Sequence, residues 1–121
     1  MPTKKNDNVK KRKGKDDVFV ISEIKPNYPG GDAEMMKYLK KNIKYPIQAK
    51  ENGVKGTVYM RFVVEKDGSV TDAEVVKGVN PLLDAEAKRV VSSMPKWAPG
   101  KQNGTNVAVQ YTLPVKFELI E

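Results

Sequence analysis

The run Val54-Lys55-Gly56-Thr57-Val58-Tyr59-Met60-Arg61-Phe62-Val63-Val64-Glu65-Lys66-Asp67-Gly68-Ser69-Val70 decides the architecture. Val54, Gly56, Val58, Met60, Phe62 and Val64 fall on one side, and Lys55, Thr57, Tyr59, Arg61 and Glu65 on the other. A period of two with one apolar side is the pattern of a strand that buries one face. Asp67-Gly68 then supplies a tight hairpin turn, because glycine tolerates positive φ. A return strand is expected from about Val70 to Val76.

Downstream of the hairpin, Asn80-Pro81 reads as the cap and first residue of a helix whose buried stripe is Leu83, Ala87, Val90 and Met94. Pro95, Pro99 and Gly100 end it, and Trp97 between them is expected to anchor the core. The closing segment is the most regular of all. Val107, Val109, Tyr111, Leu113, Val115, Phe117 and Leu119 alternate with Ala108, Gln110, Thr112, Pro114, Lys116 and Glu118. Pro114 has no N–H to give to a ladder, so one flank of this long strand is expected to lack a permanent partner. Two readings of that flank stand side by side. In one, a short strand at Val18-Phe19-Val20-Ile21 covers it; in the other, it is a docking slot for an extended peptide from a partner.

Upstream of the hairpin, Pro26-Asn27-Tyr28-Pro29-Gly30-Gly31 breaks regular structure. Asp32 is a candidate N-cap for a helix to about Asn42, with Met36, Leu39 and Ile43 as its stripe. A shorter helix begins at Tyr45-Pro46, with Pro46 as its first residue and Gly53 in the left-handed position after its end. The order β-α-α-β-β-α-β predicts an α+β fold: a two-layer sandwich in which a small antiparallel sheet carries its helices on one face.

Composition narrows the chemistry. The 121 residues carry 22 Lys and Arg against 15 Asp and Glu, a net charge of +7, with neither Cys nor His. Disulfides, thiol nucleophiles, Cys/His metal sites and imidazole bases are excluded. No convergent carboxylates replace them, so no enzymatic activity, cofactor or metal is expected. Seven Lys and Arg lie within residues 1–17 against three Asp, with Val9 the one large apolar side chain. That stretch reads as a disordered basic tail, and the folded domain as residues 18–121. With the excess charge in the tail and Tyr59 a lone exposed aromatic, the domain lacks the stacking platform of a single-strand binder. Nucleic acid is not the expected partner, and a nucleic-acid or anionic-surface binder driven by the basic tail is the alternative.

From about Tyr28 to Leu119 the chain resembles the C-terminal domain of TonB, the energy transducer of Gram-negative bacteria. The resemblance is carried by Tyr45-Pro46 followed by Ala49, by Gly53-Val54-Lys55-Gly56-Thr57-Val58, and by Phe62-Val63-Val64 with Asp67-Gly68 and Val70. Pro95-Lys96-Trp97-Ala98-Pro99-Gly100 completes the set, and Tyr28-Pro29-Gly30-Gly31 with Leu113-Pro114-Val115-Lys116-Phe117 looks like the version common in Bacteroidetes-type members. The resemblance implies a periplasmic domain, hung from the inner membrane by an N-terminal helix absent from this chain. An ExbB/ExbD-type complex would supply energy from the proton gradient. The domain would hold the TonB box of an outer-membrane receptor by β-strand addition and drive import of iron chelates, cobalamin or glycans. It also implies the contact residues: Asn106, Val107, Ala108, Val109, Gln110, Tyr111 and Thr112 along the last strand, with Tyr45 and Pro46 as a second contact. A TonB-like domain of another membrane protein, such as a sensor metallopeptidase, and a homodimer paired through the last strand are the alternatives.

Overall fold

The alternating run becomes strand β3, Gly56–Val64, and the return strand becomes β4, Val70–Lys77, in a computed structural model that describes residues 9–119. Gly68 sits in the turn between them at φ 90°. A side chain there would also collide with the backbone: an added Cβ would lie 2.1 Å from the Trp97 carbonyl oxygen. The Trp97 N–H donates to the Gly68 carbonyl at 2.8 Å, so this turn is clamped to the loop that carries the tryptophan.

Three helices cover one face of the sheet. Helix α1 spans Asp32–Asn42, α2 Ile47–Glu51 and α3 Pro81–Ser92. The cap of α3 is as read from sequence: Asn80 Oδ1 accepts from the Leu82 N–H at 2.8 Å, and Pro81 opens the helix. Its stripe Leu83, Ala87, Val90 and Met94 is buried. The other two helices depart from expectation by one residue. Gly31, not Asp32, caps α1, and its φ of 90° is a conformation that glycine adopts without strain. Asp32 is therefore the first helical residue, where its charge favours the helix N-terminus. Leu39 and Ile43 of the expected stripe face the core, but Met35 is buried in place of Met36, which is 55% exposed. Pro46 is likewise the cap of α2 rather than its first residue. The exit of α2 follows the sequence reading. Gly53 at φ 67° donates to Lys50 and Val54 donates to Ala49, a pair of bonds that closes the helix end.

The last alternating segment becomes β6, Thr105–Phe117, the centre of the sheet. A two-residue strand β2, Val18–Phe19, a second short strand β1, Val9–Lys10, and β5, Gly100–Gln102, complete the set. The sheet order is β1-β2-β6-β3-β4, with β5 paired to β6 off that path. Every pairing is antiparallel except β2 with β6, which is parallel, so the expected antiparallel sheet is in fact mixed at that one junction.

The main core lies between sheet and helices. Val58, Met60, Phe62, Val64, Leu113, Val115 and Phe117 meet the helical stripes. Trp97 is a core anchor, 3% exposed, with ring centroids of Tyr111, Phe62 and Tyr28 at 4.9, 5.4 and 5.8 Å. A second, small cluster of Val18, Val63 and Ala108 is buried on the opposite face. It forms where Val18 of β2 lies beside Ala108 of β6 and Val63 of β3, and residues 9–17, read from sequence as part of a tail, lie next to it with β1 paired to β2. Arg12 Nη1 and Nη2 donate to Glu65 Oε2 and Oε1 at 2.8 and 2.9 Å, a bidentate charge pair that ties this segment to the sheet. Residues 1–8 of the expected tail lie outside the described residues.

Candidate strand-docking site

Each predicted contact residue on β6 has a defined neighbour. Asn106 and Val107 pair with Lys101 and Gly100 of β5, and Ala108 and Val109 pair with Val18 and Phe19 of β2. Along the flank opposite β3, no strand among the described residues pairs with Gln110, Tyr111 or Thr112. The slot expected at Asn106 to Thr112 is therefore divided, its first four residues met by the chain's own strands and its last three open. Both sequence readings of the flank hold in part, since Val18 and Phe19 cover two residues and then leave.

Two local features produce this division. Asn103 and Gly104 have φ 52° and 77°, the twin left-handed residues of a two-residue hairpin that folds β5 onto β6. The Asn-Gly pair announces that hairpin in the sequence, and the reading above passed over it. Beyond Phe19 the chain bends away, and the Ser22 hydroxyl donates to the Ile24 carbonyl at 2.7 Å. Ile24 then bridges to Lys101 and Asn27 to Ala98. Between the departing chain and β6 lies a groove of about 410 Å³, walled by Val20, Ile21, Ser22, Lys25 and Pro26 on one side and by Val109 to Thr112 on the other. Ile21 and Ile24 are 65% and 56% exposed at its border.

The β6 side chains at the slot alternate between the two faces. Val109 is buried on the helical side, and Tyr111 is half-buried there against Trp97 and Phe62. Burial, and then the charge of Asp32, push the Tyr111 hydroxyl above its ordinary range, which keeps it neutral at physiological pH. Gln110 and Thr112 face the other way. None of Gln110, Tyr111 and Thr112 carries a charge at neutral pH, so the main-chain N–H and C=O groups are what this flank presents to a partner.

Tyr45 and Pro46 are not part of this site. The Tyr45 hydroxyl donates to the Val54 carbonyl, and its ring stands edge-on to Phe117 at 5.7 Å. Phe117 ends β6, six residues beyond Tyr111, about 20 Å along an extended strand. Tyr45 is a peg that fastens the loop before α2 to the far end of the sheet, and burial pushes its hydroxyl up as well. The second contact implied by the resemblance is thus separated from the first by half the strand.

A family model for the C-terminal of the Gram-negative bacterial TonB protein matches residues 41–119. The chain belongs to the TonB C-terminal family. Among solved structures it is similar to the Helicobacter pylori TonB C-terminal domain, residues 194–285. That likeness has 26% identity and a TM-score of 0.58, covering 74% of this chain and 94% of the other. A longer form of the same domain, residues 179–285, gives 25% identity and a TM-score of 0.55 over 77% of this chain and 88% of the other. No curated protein matches. The TonB family match spans α2, β3, β4, α3, β5 and β6, which include most of the core and the open flank of β6, while most of α1 and the groove wall at Val20–Pro26 precede it. It begins after β1 and β2, which are therefore features of this chain on which the match is silent.

Proposed function

We propose that this chain is the periplasmic domain of a TonB-type energy transducer and that it takes the TonB box of an outer-membrane receptor as an added strand on β6. The observation that carries this reading is the open flank at Gln110–Thr112, facing a groove of about 410 Å³, in a domain of this family. A guest of about five residues would gain about five backbone hydrogen bonds, each worth a net ~0.5–1.5 kcal/mol. After ordering costs the affinity would be micromolar or weaker, which suits a contact made and released repeatedly.

Weak attachment is compatible with pulling. Bonds lying side by side along a strand share a lengthwise load and must shear together. β6 itself is held by β3 in continuous register from Gly56 opposite Phe117 to Val64 opposite Val109, so the gripping strand would not be drawn out first. In this reading an inner-membrane anchor upstream of the domain couples it to an ExbB/ExbD-type complex, and the force drives uptake of iron chelates, cobalamin or glycans. No helix among the described residues is long and apolar enough to cross a membrane.

A proline scan of peptides from the N-terminal segments of the source organism's outer-membrane receptors tests the grip. Proline at the positions that donate to β6 is expected to abolish binding, and amide-shift changes from the parent peptide are expected at Gln110–Thr112. Binding that survives proline at every position would show that ladder pairing is not the means of attachment.

A further inference from the structure

We propose that residues 9–22 form a tethered strap that competes with the guest strand for β6, so that the slot opens fully only when the strap lets go. The inference rests on the receptor-binding reading above and concerns the regulation of that same site.

The strap already makes the kind of contact a guest would make. Val18 and Phe19 lie in a two-residue parallel ladder against Ala108 and Val109 of β6. Val9 and Lys10 pair back on Phe19 and Val18, turning the strap into a small hairpin laid over the edge. Val18 is 2% exposed and sits between Val63 and Ala108, the single apolar anchor in that contact. At Val20 the strap leaves β6, and from there its own backbone forms the wall of the groove.

A two-residue ladder with one anchored side chain is weak, and charges on the sheet make up the difference. The Arg12 guanidinium grips Glu65 with two bonds, and the side chains of the pair are only 13% and 18% exposed. Arg12 Nε also donates to the Asp16 carbonyl at 2.8 Å, which fixes the turn of the strap around the guanidinium. Asp72 lies 3.3 Å from Arg12 and 3.7 Å from Lys15, and Asp16 lies 3.1 Å from Lys66. Asp72 is one of two non-glycine residues at positive φ among the described residues, in the stretch of β4 where the β3 register shifts. That left-handed backbone is locally costly, and the carboxylate it presents meets two strap cations, Arg12 and Lys15. Six strap and sheet charges, Arg12, Lys15 and Asp16 with Glu65, Lys66 and Asp72, are thus arranged to hold a segment with little hydrophobic content of its own.

The consequence for binding is arithmetic. While the strap is down, a guest finds three open residues, Gln110 to Thr112. Once it lifts, Ala108 and Val109 join them and a five-residue ladder becomes possible. Affinity measured on the whole chain is then the intrinsic affinity scaled by the fraction of molecules with the strap lifted. Because the strap is covalently attached, its effective concentration is of order millimolar, and a weak contact still competes.

Two variants of the full chain test this with the receptor peptides named above. Arg12→Ala removes the charged grip and is expected to tighten peptide binding about five- to tenfold, with faster amide exchange in residues 9–20 and unchanged exchange in α3. Val18→Cys with Ala108→Cys places the only two cysteines of the chain at register partners, where a disulfide can lock the strap down. The oxidised form is expected to bind about tenfold or more weakly than the same protein reduced. If one variant does not fold, the other decides. Equal affinity in wild type, Arg12→Ala and both redox forms would overturn the competition while leaving the receptor-binding reading intact. Absence of peptide binding in every form, Arg12→Ala included, would overturn both.

Discussion

Along one flank of β6 the neighbour is β3, in unbroken register from Val109 to Phe117, and Leu113, Val115 and Phe117 enter the main core. Along the other, β2 holds two residues near one end through a ladder assisted by surface charge, and the following residues meet no strand among those described. The first flank is fixed by hydrophobic burial, which is insensitive to salt and is lost only on unfolding. The second is fixed by hydrogen bonds and ion pairs that solvent, salt or a competing strand can replace at small cost. In the proposed reading one strand serves as both a structural member and an exchangeable surface, the two roles separated by flank.

Substitutions should separate the two flanks in the same way. The largest effect is expected from Phe62→Ala, which empties a fully buried site beside Trp97 and Tyr111. A loss of about 3–5 kcal/mol is expected in denaturant unfolding. A loss under about 1 kcal/mol would mean that the β3 flank is no better packed than the strap flank. Next comes Gly68→Ala, which combines a left-handed backbone position with a clash against the Trp97 carbonyl. It should cost at least about 1–3 kcal/mol and should loosen the Trp97 loop, seen as a red shift of tryptophan emission.

A smaller effect, about 1 kcal/mol, is expected from Tyr45→Phe, which removes the bond to the Val54 carbonyl. Peptide affinity should be unchanged, because Tyr45 lies at the far end of β6. A clear loss of affinity without loss of stability would return Tyr45 to the binding surface. The smallest effect concerns pH. Glu65 is held below the usual carboxylate range, chiefly by its hydrogen bonds from Arg12. The contribution of that grip is complete above the ordinary Glu value of about 4.3 and fades only as pH falls through the lowered folded value. Strap amides should exchange with the same protection, after correction for intrinsic rates, between about pH 5 and 8. Loss of protection within that window would mean that the carboxylate does not latch the strap.

What the sequence disclosed follows from how local each signal is. The strands β3 and β6, the cap of α3 and the exit of α2 are written in neighbouring residues: a period of two, Asn80 before Pro81, Gly53 after Asn52. Of the expected α1 stripe Leu39 and Ile43 face the core but Met36 does not, because Met35 and Met36, four and three residues before Leu39, both suit a helical stripe and sequence does not choose between them. The strap was illegible for a different reason. Arg12 finds Glu65 across 53 residues of chain and Asp72 across 60, and a basic run gives no local sign that it will be neutralised by a distant sheet. Of the slot, the open half at Gln110–Thr112 lay within the stretch read from sequence. The hairpin of β5 and the groove wall from Val20 to Pro26 did not, although Asn103-Gly104 marked the former.

Hydrogen exchange on the intact chain, with and without a receptor N-terminal peptide, tests strand addition most directly. Slowed exchange is predicted among the amides of Gln110, Tyr111 and Thr112, with residues 9–20 exchanging faster as the strap is displaced and β3 unchanged. Saturating peptide that leaves the β6 amides as they were, or protects only the Tyr45 to Gly53 region, would contradict it.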